Sequence, residues 1–220
     1  MISCTGNGTP PTMLVLRTAL IPIWLLTLCS LSHASERAPC FDFSKKNTKL
    51  LAPAPYSFPE IGRESRDLGT DPATGLDWAK VSGVVKLPID QVNNKLLDQM
   101  TTRNPKTTTI KTESLPSNGA LTRTRVAIRV KPVFFITLEW EEEWAHSLLE
   151  GTPEAPKEIL IAYQKTKGTS HIRHFCGNIL LKSLGPSTTG VFLHEQIDAD
   201  QRDPDDVADG LLGTLKTLRQ

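Results

Sequence analysis

Apolar and polar residues alternate along several stretches in the second half of the chain, which is the pattern of half-buried β-strands. In TRTRVAIRV, Val126, Ile128 and Val130 share one face, while Arg125 and Arg129 share the other. Similar strand-like segments, separated by the turn signals KGT and LGPS, are WAKVSGVVKLP, KEILIAYQK, HIRHFCGNILLKSL and TTGVFLHEQIDA. The sequence therefore predicts a long run of antiparallel strands.

Two segments have a helical period instead. PIDQVNNKLLDQM begins with Pro88 and repeats its apolar residues at helical spacing. DPDDVADGLLGTLKTLRQ has Asp203 as a predicted N-cap and Pro204 at the first helical position. Its apolar stripe consists of Ala208, Leu211, Leu212, Leu215 and Leu218. We expect one helix after the first predicted strand and one at the C-terminal end of the sequence.

The stretch FFITLEWEEEWAH places a run of glutamates between two tryptophans. Counting by two puts Trp140 on the apolar face and Glu139, Glu141 and Glu143 on the opposite, solvated face. If this strand forms a hairpin with the preceding one, the acidic face lies beside Arg125, Arg129 and Lys131, and opposite charges across two strands stabilise the pairing.

Glu142 differs from its neighbours because it falls in the inward phase, between Trp140 and Trp144. An ionised carboxylate in that position needs a partner. Two alternatives remain open from the sequence. Either Glu142 faces a polar cavity, or a bulge or an exposed strand end resets the alternation.

The first 34 residues have the pattern of a signal peptide. Between Met13 and Ala34 there is one basic residue, Arg17, then an apolar stretch, and finally Ser32-His33-Ala34, which suits cleavage after Ala34. The segment before Met13 adds nothing to this pattern, so Met13 is an alternative translation start. A retained membrane anchor is the other interpretation, although the apolar stretch is short for a bilayer span. We predict a periplasmic or secreted protein with no stable membrane span after cleavage.

Removal of residues 1–34 leaves 24 basic and 24 acidic side chains. A mature chain of zero formal charge gives no electrostatic reason to expect nucleic acid as a partner. Cys40 and Cys176 remain after cleavage, and in an oxidising compartment they are candidates for a disulfide; two unpaired thiols are the alternative. Residues 35–77 are rich in proline, and we expect an irregular extension packed on the body of residues 78–220.

The order of elements resembles the START-like helix-grip superfamily, also called SRPBCC. The similarity rests on VSGVVKLPIDQVNNKLLDQM, on the Gly168-Thr169 turn before a strand ending in GNILLKSL, and on TTGVFLHEQIDAD leading into DPDDVADGLLGTLKTL. The resemblance implies an α+β fold in which a curved antiparallel sheet wraps around a long C-terminal helix. Members hold lipids, sterols or polyketides between the two, and some are cyclases. The extension, residues 35–77, is not part of the pattern.

The resemblance implies a ligand site on the inward strand faces and the C-terminal helix. The candidate ligand-binding residues are Trp140, Glu142, Tyr163, Leu193, Glu195, Leu211 and Leu215. For the apolar members, the alternative is an ordinary packed core. For the polar ones, the alternatives are anchoring of a ligand head group, proton transfer, and structural pairing with a cation.

No nucleophile motif, phosphate loop or paired-cysteine metal signature occurs in the sequence, so we predict no catalytic residue, cofactor or metal. The leading hypothesis is an exported binding protein for an apolar or lipid-like small molecule. A cyclase or aromatase-type enzyme using the inward carboxylates is the first alternative. The second is an envelope interaction module in which residues 35–77 dock a protein partner.

Overall fold

Eight strands and two helices account for most of the chain that the structure describes. The computed structural model describes residues 37–47, 49–51, 56–102, 107–133, 136–200 and 203–220. The elements in chain order are β1 (Glu64–Thr70), β2 (Asp77–Val85), α1 (Ile89–Thr102), β3 (Thr107–Ser114), β4 (Thr122–Val133), β5 (Ile136–Thr152), β6 (Ala155–Gly168), β7 (Ile172–Gly185), β8 (Thr188–Ala199) and α2 (Pro204–Leu218). The predicted signal peptide, residues 1–34, and Phe134 of the glutamate-rich stretch lie outside the described residues.

The strands form one antiparallel sheet with the order β1-β2-β8-β7-β6-β5-β4-β3. Strands β3 to β8 follow one another as a meander, and β8 returns beside β2. Strands that are consecutive in the chain pair readily in antiparallel fashion, because a short turn is enough to join them. The predicted α+β fold with a long antiparallel sheet and a C-terminal helix is confirmed.

The predicted pairing of charged faces between β4 and β5 is present. Arg129 lies opposite Glu139, and their side chains form an ion pair of 2.9 Å. Arg125 lies opposite Glu143, but Glu143 pairs instead with Arg123. Glu143 is buried, so its assignment to a solvated face is wrong. It tolerates burial because the guanidinium supplies both a countercharge and a hydrogen-bond donor.

Helix α2 packs on one face of the sheet, which we call the inner face, mainly against β2 and also against β1 and β8. Asp203 caps the helix by accepting a hydrogen bond of 2.9 Å from the backbone N–H of Asp206. Four members of the predicted apolar stripe, Ala208, Leu211, Leu215 and Leu218, are buried in the core, while Leu212 is partly buried at its margin. Close approach to β2 requires Gly83, since a Cβ atom there would lie 2.6 Å from Cδ2 of Leu215.

An N-terminal arm, residues 37–47, 49–51 and 56–58, covers the opposite face of the sheet, which we call the outer face. The side-chain amide of Gln164 in β6 holds the arm at Phe41, accepting from its N–H at 2.9 Å and donating to its carbonyl at 3.0 Å. Further along, the N–H of Leu51 donates to Asn178 at 3.1 Å. The arm places apolar side chains over the outer face; these are Phe41, Phe43, Leu50, Leu51, Tyr56 and Phe58.

A disulfide fixes the arm to the sheet. Cys40 in the arm bonds to Cys176 in β7, with the two sulfur atoms 2.05 Å apart. The sequence left this pair open between a disulfide and two thiols, and the structure has the disulfide. Because 136 residues separate the two cysteines, the bond closes a long loop.

The predicted extension contains a strand that the sequence pattern did not reveal. β1 pairs with β2 from Glu64 opposite Gly83 to Thr70 opposite Asp77, so it forms the edge of the sheet beside α2. Its side chains are mostly exposed, and an exposed edge strand lacks the alternation that marks half-buried strands. Among the described residues, neither helix is long and apolar enough to cross a bilayer.

We predict that the double substitution Cys40→Ala/Cys176→Ala lowers the free energy of unfolding by about 5 kcal/mol, because the unfolded chain regains the entropy of a long open loop. Urea unfolding of the chain beginning at Ser35 measures this loss. A reducing agent serves as the control: it should destabilise the native sequence and leave the double variant unchanged. A loss below about 1 kcal/mol would contradict the role assigned to the bond.

Candidate ligand-binding site

The seven predicted site residues all lie in the inward phase of the sheet or on α2, but they differ in their surroundings. Leu193, Leu211 and Leu215 are buried in the main hydrophobic core between the sheet and the helices. Burial in this core is expected both for a ligand-lined wall and for ordinary packing, so their part in binding stays a prediction. Trp140 is partly buried against the same core. The polar candidates lie further along the inner face.

Glu142 is a buried carboxylate held between two tryptophans. Its side chain is 1% exposed. The indole N–H of Trp140 donates to one carboxylate oxygen at 2.8 Å, and the indole N–H of Trp144 donates to the other at 2.8 Å. Hydrogen bonds to both oxygens offset part of the cost of removing the charge from water. The arrangement fixes the carboxylate and both indole rings in one orientation.

Glu142 keeps the inward phase, and the expected bulge lies in the neighbouring strand instead. The register between β5 and β6 shifts from Glu141 opposite Lys167 to Glu142 opposite Lys165, so the extra residue, Thr166, belongs to β6. The pairing of β5 with β4 continues without a shift at this point. The bulge is therefore in the neighbouring strand, and β5 keeps its alternation with Glu142 facing inward.

Tyr163 and Glu195 form a second polar pair on the inner face. The hydroxyl of Tyr163 donates to a carboxylate oxygen of Glu195 at 3.0 Å. The Tyr163 ring stacks on Trp144 with 4.2 Å between centroids and 15° between planes. It crosses β7 above Gly177, where a Cβ atom would lie 2.3 Å from the tyrosine hydroxyl. Glycine at this position lets a residue of β6 reach a residue of β8.

His146 is a further inward residue, and the sequence pattern did not mark it as part of the site. It is 1% exposed, and its Nδ1 atom lies 2.7 Å from Oδ1 of Asn93 on α1. Burial lowers the pKa of His146 from its ordinary 6.5 to about 4, so the imidazole is neutral near neutral pH. The alternation by two that placed Trp140, Glu142 and Trp144 inward also places His146 there. Together, Glu142, His146, Tyr163 and Glu195 are the inner polar side chains.

A separate polar pocket of about 190 Å³ opens beside the disulfide on the arm. Its lining residues are Arg37, Pro39, Cys40, Gln164, Lys165, Thr166, Arg173, His174 and Phe175. Nε2 of His174 lies 3.2 Å from the sulfur of Cys40 and 3.4 Å from that of Cys176. The potential metal-ligand atoms of these three residues all lie within 4.8 Å of one another. The two sulfurs are bonded to each other, however, and metals require thiolates.

Comparison of the coordinates with solved structures defines the fold. The human StarD13 lipid transfer and protein localization domain superimposes with a TM-score of 0.52, at 12% identity, over 74% of this chain and 84% of that domain. The fold is START-like. At this level of identity the similarity concerns the fold alone.

Two further structures show weaker START-like similarity. A STAR-related lipid transfer protein from Xanthomonas axonopodis has a TM-score of 0.44, with 16% identity over 70% of this chain and 96% of that one. The Zhui aromatase/cyclase from a Streptomyces strain has a TM-score of 0.41, with 17% identity over 65% and 86%. No protein-family model and no curated protein sequence matches this chain.

Two buried histidines of the START-like sheet make its stability depend on pH. The pKa of His146 on the inner face and of His194 on the outer face is lowered to about 4, mainly by burial. The unfolded chain binds protons on both imidazoles below about pH 6.5, whereas the folded chain does so only below about pH 4. The free energy of unfolding should therefore fall as the pH drops through this window.

From about pH 7.5 to about pH 5, we predict a loss of about 2 kcal/mol for each histidine. Urea unfolding at both pH values measures it. The variants His146→Phe and His194→Phe should each remove about half of the loss attributed to the pair. An unchanged pH dependence in both variants would show that these histidines are not neutral and buried in the folded chain.

Proposed function

We propose that this protein binds an apolar or lipid-like small molecule between the sheet and the helices, without changing it chemically. One observation supports the proposal most strongly: the inner polar side chains lie within an otherwise apolar core. Ligand sites combine apolar walls with a few fixed polar groups that orient the ligand. Glu142, with its two indole donors, is a group of this kind.

The START-like fold supports the same function. The StarD13 domain, which shares this fold, is described as a lipid transfer domain. In the present chain, the sheet and α2 have the arrangement that would enclose such a molecule. Trp140, Tyr163, Leu193, Leu211 and Leu215 would supply its apolar contacts, while Glu142 and Glu195 would face its polar end.

We further propose that the protein is exported to the periplasm or secreted. The leader pattern in residues 1–34 predicts export, and the disulfide between Cys40 and Cys176 fits an oxidising compartment. Docking of a protein partner on residues 35–77 stays a prediction.

A cyclase-type activity is the second candidate. The observation that favours it is the hydrogen bond between the Tyr163 hydroxyl and Glu195, because a phenol and a carboxylate in contact are groups that can transfer a proton. Binding without reaction needs the same two residues only as anchors, and it accounts equally well for Glu142. We therefore place binding first.

The test is native mass spectrometry of protein purified from the exported fraction, followed by organic extraction of the sample. The expected result is a reproducible mass above that of the polypeptide and a small apolar molecule in the extract. A bare polypeptide mass under gentle conditions, with an empty extract, would contradict the proposal. Recovery of a molecule altered relative to one that is supplied would favour the cyclase.

A matched pair of variants locates the bound molecule. Glu142→Gln replaces one carboxylate oxygen by an NH2 group, which cannot accept a hydrogen bond from an indole N–H, so ligand occupancy should fall. Glu141→Gln is the control, because Glu141 faces away from the core and pairs with Lys167 at 3.0 Å. Equal occupancy in the two variants would move the ligand away from Glu142. Thermal unfolding of both variants shows whether each still folds.

A further inference from the structure

The contact between His146 and Asn93 fixes the position of the imidazole proton. Oδ1 of Asn93 only accepts hydrogen bonds, and it lies 2.7 Å from Nδ1 of His146. Nδ1 must therefore carry the proton and donate a hydrogen bond to the amide oxygen. In a neutral imidazole the other nitrogen then has no proton. Nε2 of His146 is consequently a hydrogen-bond acceptor.

This acceptor is buried without a partner among the described residues. Nε2 of His146 is shielded from solvent and makes no hydrogen bond with them. Its neighbours in register are Thr122 in β4 and Ile161 in β6, and Ile161 is part of the core. A buried polar atom that stays unpaired costs about 1–3 kcal/mol, so such atoms nearly always have a partner. A hydrogen-bond donor is therefore expected at Nε2.

We propose that Nε2 of His146 accepts a hydrogen bond from a hydroxyl or another neutral donor group of the bound molecule. The proposal rests on the proposed binding function and narrows its ligand class. An apolar molecule with a hydroxyl group satisfies the acceptor. An ether of the same shape leaves it unpaired, and a carboxylate or phosphate would place a negative oxygen against the nitrogen lone pair. His146 is thus a specificity-determining residue.

The remaining inner polar side chains agree with a neutral ligand. Glu142 presents a carboxylate whose oxygens accept hydrogen bonds from Trp140 and Trp144. Glu195 presents a second carboxyl group, which accepts from Tyr163. An anionic head group beside these two side chains would bring a negative oxygen against their acceptor oxygens, and the contact would be repulsive. A neutral hydroxyl group avoids this repulsion and can donate to Nε2.

The experiment compares three probes of equal chain length by displacement of the fluorescent hydrocarbon diphenylhexatriene from the purified protein. The probes are 1-dodecanol, dodecyl methyl ether and dodecanoate. The alcohol should displace the reporter about threefold to tenfold more tightly than the ether, which is the value of one neutral hydrogen bond. Dodecanoate should be weaker than the alcohol.

Two variants connect this preference to the imidazole. His146→Phe should lose the preference for the alcohol over the ether while it still binds diphenylhexatriene. His194→Phe is the matched control, since His194 is also buried and neutral but lies on the outer face, beside Asn178. This control should keep the full preference. Equal displacement by alcohol and ether in the native protein, or the same preference in both variants, would overturn the proposal.

A spectroscopic measurement covers the case in which His146→Phe does not fold. Nitrogen-15 NMR of labelled histidine in the native protein should show His146 protonated at Nδ1 and bare at Nε2, with the Nε2 signal moving when 1-dodecanol is added. A proton on Nε2 would overturn the proposal. Failure of diphenylhexatriene and all three probes to bind would instead overturn the proposed function, and this inference would fall with it.

Discussion

The structure depends on one constraint: a broad antiparallel sheet with two apolar faces must cover both of them. The alternation of side chains sends half of each strand to either face, so a second layer is needed on each side. Helices α1 and α2 cover the inner face, where the apolar stripe of α2 packs above Gly83. The N-terminal arm covers the outer face and is held by the disulfide and by Gln164. This division leaves the inner face, between the sheet and the two helices, as the place of the proposed binding site.

The inner face also contains groups that a purely structural core does not need. Burial of a carboxylate and an imidazole costs stability unless each finds hydrogen bonds. Glu142 obtains them from two indoles, and Glu195 from Tyr163, whereas His146 uses only one of its two nitrogens among the described residues. The bulge at Thr166 lies beside Glu142, and the missing side chain at Gly177 makes room for the hydroxyl of Tyr163. The outer face also buries polar side chains, among them Glu143 and His194, but those lie on the face that the arm covers. The proposed binding function concerns only the inner group.

Much of this arrangement was predictable from the sequence, because alternation and helical spacing are local signals. These two signals predicted helix α2, the strands from β4 to β8 and the inward phase of Glu142. β1 was not predictable, since an exposed edge strand has no alternation. The burial of Glu143 depends on which segment covers the outer face, and this is a long-range property. His146 had the correct phase, but only the tertiary contact with Asn93 shows how its imidazole is used.

The central claim is that the ligand lies on the inner face of the sheet. Methyl NMR of the labelled protein during a titration with diphenylhexatriene tests it most directly. The account predicts that the methyl signals of Leu193, Leu211 and Leu215 shift, while those of Leu180, which packs beneath the arm on the outer face, do not. Shifts at Leu180 with unchanged signals from the three inner leucines would contradict the account.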